Sequence, residues 1–202
     1  MPGEPLPGER MRERLAGATR TEHAALDRAL MAARPFADRA RYGGYLRVQQ
    51  ALHADAVALY ACAELADLVH AAGIAPRLPQ VEADLADLDL AIGHPPAGPA
   101  PEDMGKALGR LYVIEGSRLG ARHLLQAARR LGLHETFGAR HLAPDPRGVD
   151  VGWRAFVVAM GAREWTEAMA EGARDGFAFA RQVVDAVFAG ERADGAGLIG
   201  AA

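Results

Sequence analysis

Apolar residues recur along most of this chain at helical spacing. Leu15, Thr19, His23, Leu26 and Leu30 fall at i, i+4, i+8, i+11 and i+15, one stripe of a helix that begins near Arg10. Pro35 ends it, because proline disfavours helix in the residue before it. A second stripe, through Tyr45, Val48, Leu52, Leu59 and Val69, predicts a helix from about Ala40 to Ala72, stopped by Gly73 and Pro76. A third, from about Pro79 to Ile92, carries its acids Glu82, Asp84, Asp87 and Asp89 mostly outward. The run GHPPAGPAPED that follows is turn chemistry throughout. Further helices are expected from about Asp103 to Leu131, Val149 to Gly172 and Arg174 to Phe188. No β alternation and no internal repeat appears. The pattern predicts an all-α, single-domain, multi-helix bundle.

Composition narrows the setting. A chain of 202 residues is long enough to bury a core without staples. The Pro/Gly-rich residues 1–9 are expected to be disordered, residues 10–189 to form the domain and 190–202, small and Gly-rich, to form a flexible tail. With a net charge of −3 and no basic block, nothing points to nucleic acid. Cys62 is the only cysteine, so an intrachain disulfide is impossible and a reducing cytoplasm fits. The N-terminus lacks the basic start and apolar run of a signal peptide, and no stretch approaches the roughly 20 apolar residues that span a bilayer.

Two features carry candidate chemistry. The first is the run LYVIEGSRLGARHLL, which places Gly116 and Gly120 four residues apart on one helix face. Glycine inside a helix costs about 1 kcal/mol relative to alanine. Bare backbone at that spacing serves either close helix–helix packing or a ligand surface. The second is His23, mid-helix on an apolar stripe, with Asp27 one turn on along the same face. His23 is either an ordinary core histidine or a metal ligand whose other ring nitrogen is held by Asp27, which would orient the imidazole and raise its basicity.

These pieces resemble the bacterial heme oxygenases. The segment ATRTEHAALDRAL is similar to the start of that family, and LYVIEGSRLGARHL to its distal helix, in the same order and about ninety residues apart. The resemblance spans about Arg10 to Phe188. It implies a bundle of the heme oxygenase type that holds heme b (iron protoporphyrin IX) between a proximal and a distal helix, with His23 as the axial metal ligand. The distal Gly116 and Gly120 would crowd iron-bound dioxygen toward a porphyrin meso carbon. Heme is then cofactor and substrate, opened by O2 and reducing equivalents to biliverdin, Fe2+ and CO. Ser117 would anchor a distal water, or else bond a backbone carbonyl as a plain helix serine. Gln49 and His53, one helical turn apart, would complete the distal network; the other reading of His53 is a solvated helix residue. Tyr112 stands where similar bacterial enzymes bind a propionate, and the stripe Arg174, Phe177 and Arg181 would close the pocket mouth, with either arginine pairing a carboxylate or simply lying in solvent.

The resemblance also implies partners: a reductase or ferredoxin as electron donor, and a bacteriophytochrome as biliverdin acceptor if the purpose is chromophore supply rather than iron release. A monomer is expected. The sequence departs from the family in one respect that matters. Many members have a lysine seven residues before the axial histidine, and here that residue is Ala16, so a propionate contact is either missing or supplied elsewhere, by Arg12 or Arg20. Mammalian members carry a distal acid where this chain has Ser117, as bacterial members do. A di-iron bundle is set aside because no histidine is preceded by a glutamate three residues earlier, and the His-Glu-x-x-His zinc motif is absent. The rival from another class is a non-catalytic protein on the same fold that carries or senses heme or a linear tetrapyrrole.

Overall fold

The computed structural model describes residues 6–95, 98, 100–148 and 150–196, with side chains to residue 189. The expectations for residues 1–5 and 197–202 lie outside the described residues. Nine α-helices make up the described chain: α1 (Pro7–Ala18), α2 (Arg20–Ala33), α3 (Arg39–Tyr60), α4 (Ala66–Ala72), α5 (Leu78–Asp87), α6 (Met104–Ser117), α7 (Ala121–Arg129), α8 (Val151–Met160) and α9 (Glu167–Ala196). No strand is present among the described residues. The all-α expectation holds, and among the described residues no helix is long and apolar enough to cross a membrane.

Several boundaries differ from the sequence reading. The first helix starts at Pro7, within the segment expected to be disordered, because proline at the first helical position gives up no hydrogen bond. It also divides in two. Thr19 leaves helical geometry at φ −121°, and its hydroxyl donates to the Leu15 carbonyl at 2.8 Å, so α2 starts afresh at Arg20. The second expected helix stops at Tyr60 and resumes as α4 after a short 3-10 turn, Ala63–Leu65. The expected break at Gly172 is absent. The chain breaks earlier, after Met160, and α9 runs from Glu167 through Gly172 and on to Ala196, into the segment expected to be a flexible tail.

Gly172 stays helical because of what lies against it. A Cβ on Gly172 would overlap the Lys106 carbonyl oxygen, and one on Gly109 would overlap that of Met169 and sit 2.7 Å from the Ala173 nitrogen. α6 and α9 therefore touch backbone to backbone, and the helix–helix contact offsets the propensity cost of the glycines. This pair forms the spine of the fold. Leu108, Leu111, Met169 and Ala173 join Phe156 and Met160 of α8 and Met11 and Leu15 of α1 in the largest core cluster. A second cluster gathers Tyr42 and Leu46 of α3 with Val81 and Leu85 of α5 and Leu125 of α7. α2 is the exception: it lies along α9 and none of its residues is fully buried.

Candidate functional site

His23 projects from this loosely covered helix. Its Nδ1 lies 2.9 Å from the Asp27 carboxylate, and both side chains are largely exposed, at 61% and 60%. The buried Phe177 ring of α9 meets the imidazole edge-on at 5.5 Å. Asp27 engages Nδ1 and fixes the ring's orientation, which leaves Nε2 as the nitrogen that could take a metal. The core-histidine reading does not survive, since His23 is exposed.

The distal segment is the last turn of α6 and the 3-10 turn Arg118–Gly120 that follows. A Cβ at Gly120 would meet nothing within 4 Å, and one at Gly116 only the Trp153 indole, at an ordinary 3.6 Å. Neither glycine serves helix packing. α9 links the two regions: Phe177 meets His23, and the neighbouring Gly176 lies against Val113 of α6, three residues before Gly116. The Ser117 hydroxyl donates to the Ile114 carbonyl at 2.7 Å, the backbone bond of a helix serine. Tyr112 is half-buried beside Trp153, and burial pushes its phenol up, an effect the nearby Arg12 guanidinium opposes. Arg12 thus stands near Tyr112, as a replacement for the lysine missing at Ala16 requires; Arg20 is exposed on α2. From α9, Arg174 reaches the end of α1, donating to the Ala18 carbonyl at 3.3 Å, and Arg181 reaches α2, donating to the Ala25 carbonyl at 3.4 Å; each also meets an acid, Glu167 or Asp185.

Gln49 is half-buried on α3. His53, a turn further on, is not a solvated helix residue. It is buried, its Nδ1 has no partner among the described residues, and its pKa is pushed down to about 3 by burial, helped by His141, Arg77 and Arg118. The ring is neutral. His141 is the residue the sequence reading missed. It is buried, its Nδ1 lies 2.7 Å from Asp84, and its Nε2 likewise has no partner. Burial pushes His141 down despite Asp84. Asp84 itself was expected to face outward and is fully buried, accepting the backbone N–H groups of Arg140 and His141. Its place was visible in the pattern, three residues after the buried Val81 and one before Leu85. Glu115 was also overlooked. It is fully buried one residue before Gly116, accepting from the Tyr60 hydroxyl at 2.5 Å and from Arg118 at 2.9 Å. Among the described residues no group of three or more His, Cys, Asp or Glu side chains could hold a metal ion.

An exposed histidine with an oriented ring, and a helix end that carries Gly116 and Gly120, lie on one all-helical fold that could hold a heme. Comparison with known proteins makes the class specific. The chain is 37% identical over 175 residues to heme oxygenase PigA of Pseudomonas aeruginosa, covering 82% of this chain and 86% of that protein. Its fold matches the NO- and CO-bound heme oxygenase of Neisseria meningitidis at a TM-score of 0.78 and 34% identity, covering 88% of this chain and 91% of that one. No protein-family model matches the chain. On these relatives, the chain belongs to the heme oxygenase family.

Proposed function

We propose that this protein degrades heme, with His23 as the axial ligand and the Gly116–Gly120 segment as the distal wall. The carrying observation is the His23–Asp27 pair, which engages Nδ1 and leaves Nε2 open on an exposed face. Bound heme supplies both the iron that activates dioxygen and the ring that is opened to biliverdin, with release of iron and CO. The chain's own residues do the rest. Asp27 orients the imidazole and raises its basicity, and Phe177 limits its rotation. Gly116 and Gly120 let a ligand approach bare backbone, with room for ordered water beside the Ser117 hydroxyl. His53 stays neutral at any working pH, so its ring exchanges hydrogen bonds with water rather than donating a full charge. Gln49 accompanies it on α3. Tyr112 and Arg12 serve one propionate, and Arg174 or Arg181 the other.

Electrons come from a reductase or ferredoxin, and biliverdin passes to a bacteriophytochrome or is discarded once iron is freed. The protein acts as a monomer in the cytoplasm. Family membership favours the enzyme over a heme carrier or tetrapyrrole sensor. The purified protein given hemin should develop a Soret band that His23→Ala abolishes. With ascorbate or a reductase under air, the band should decay as a biliverdin band grows. A heme complex that persists unchanged would instead identify a carrier, and an unchanged spectrum in His23→Ala would overturn the axial assignment.

A further inference from the structure

A cavity of 320 Å3 lies behind the distal segment, where α7, the 142–145 turn and the start of α8 meet. No residue of α2 or α9 lines it, so it is separate from the face that carries His23. Its walls are apolar over much of their area, through Leu119, Leu125, Leu142 and the Trp153 indole. Its charged groups are unevenly matched. Arg118 is held by Glu115, Arg129 by Glu135, and the Asp145 carboxylate is taken by Arg147 through both oxygens. Two lining arginines remain. Arg122 is exposed and makes no hydrogen bond or ion pair among the described residues. Arg77 is half-buried and donates through Nη1 alone, to the His141 and Ala143 carbonyls. It meets no carboxylate within ion-pair distance among the described residues, and burial together with Arg118 pulls its pKa down. Asp150 is the lining acid that makes no ion pair among the described residues; Asp145, also in the wall, and the buried Glu115 act on Arg77 from beyond ion-pair distance.

A half-buried guanidinium whose Nε and Nη2 lack an acceptor calls for an anion, and the guanidinium fork matches a carboxylate in two-point geometry. The indole and leucine walls call for an apolar body on that anion. We infer that this cavity binds a small organic carboxylate with a one- or two-ring apolar body, its carboxylate between Arg77 and Arg122 and its body against Trp153 and Leu125. The volume is at the low end for ligand pockets of about 300–1,000 Å3, so a four-ring tetrapyrrole is not its occupant. Trp153 is shared, since the same indole backs Gly116. A ligand here therefore touches the reverse side of the distal wall without entering the heme site. The inference does not depend on turnover.

The test is calorimetric titration of the heme-loaded protein with 2-naphthoate and, as a neutral isostere, 2-naphthalenemethanol. The expected result is saturable binding of one naphthoate, at least tenfold tighter than the alcohol. Arg122→Glu should weaken it at least fivefold, and Arg77→Met should do so more strongly. Arg77→Met also removes two bonds to the 141–143 backbone, so the exposed Arg122→Glu is the decisive variant if Arg77→Met fails to fold. Affinity should agree within twofold between apo and heme-loaded protein, with naphthoate shifting the Soret band only through Trp153. No saturable naphthoate binding, equal affinity for the alcohol, an unaffected Arg122→Glu, or displacement of naphthoate by heme would each overturn the assignment.

Discussion

Early in α6, Gly109 lies so close to α9 that a Cβ would overlap the Met169 carbonyl oxygen. About three turns on, at Gly120, a Cβ would meet nothing within 4 Å. The two stretches read alike in sequence, with glycines at 105 and 109 and again at 116 and 120. The first pair lets two backbones meet, and the second keeps a surface bare. The lesson is that a spacing of four says only that glycines share a helix face. What that face meets is decided by the rest of the chain: Gly105 and Gly109 lie tight against Thr166, Ala168, Met169 and Ala173 at the start of α9, whereas Gly116 meets only the Trp153 indole and Gly120 nothing within 4 Å.

The largest effect expected from breaking this contrast is on the packed pair. Gly109→Ala forces α6 and α9 apart at a backbone contact that no rotamer change can relieve. Overpacking of this kind costs on the order of 3 kcal/mol. At the roughly 2–4 °C per kcal/mol expected for a domain of this size, thermal unfolding should fall by roughly 10 °C. Gly172→Ala should behave the same way, since its Cβ would strike the Lys106 backbone. A melting temperature within a degree or two of wild type for both variants would mean that the spine is not where the stability lies.

Next in size is an acid effect on the packed side of the molecule. His53 is buried there with its pKa held at about 3, far below the ordinary histidine value of 6.5. Between those values the unfolded chain takes a proton that the folded chain refuses, so stability falls as pH drops from about 6.5 toward 3. One such proton changes stability by about 1.4 kcal/mol per pH unit in that window. His53→Gln should therefore flatten the acid limb of a denaturation series between pH 6 and 4 by about one proton. His141, also pushed down by burial, leaves a residual slope. An acid limb identical to wild type in His53→Gln would show that the ring is solvated.

How much of this could be read from the chain follows the same division. The candidate residues His23, with Asp27 at i+4, and Gly116 with Gly120 were legible because both are local patterns. The helical class was legible from periodicity. What escaped depends on contacts distant in sequence. Gly172 looked like a helix stop, and only Lys106 across the interface shows why the helix continues. Asp84 looked like one more outward acid although it falls between the apolar Val81 and Leu85, and what makes its burial tolerable, the backbone of Arg140 and His141, lies 56 and 57 residues away. Thr19 looked like part of one stripe, yet its hydroxyl bond to Leu15 separates two helices. The buried Glu115 was hidden inside the motif that drew attention to its neighbours.

On the open side the effects on stability shrink and those on chemistry grow. Gly120 already has helical angles, φ −80° and ψ −14°, and empty space above it. Gly120→Ala should leave the apo protein as stable as wild type or up to about 1 kcal/mol more stable, because alanine reduces the freedom of the unfolded chain. Biliverdin yield should nevertheless fall, or its isomer ratio change, if the added methyl intrudes on the proposed distal wall. Melting curves of the apo protein and chromatography of the product separate the two. Loss of apo stability in Gly120→Ala would erase the distinction between the two glycine pairs.

The smallest stability change is expected at Asp27. Even a fully charged exposed pair is worth only about 0–1 kcal/mol, and this contact joins two side chains that are each about three-fifths exposed. Asp27→Asn should shift unfolding of the apo protein by less than about 0.5 kcal/mol. The effect on bound heme should be out of proportion to that. A carboxylate that accepts from Nδ1 pushes electron density onto Nε2 and favours ferric iron, so replacing it with a neutral amide should raise the iron reduction potential while the Soret band persists. Spectroelectrochemistry of the heme-loaded variant measures this directly. A potential equal to wild type would mean that the His23–Asp27 contact is only a surface pair. A loss of apo stability above about 1 kcal/mol would mean that α2 is held by more than its contact with α9.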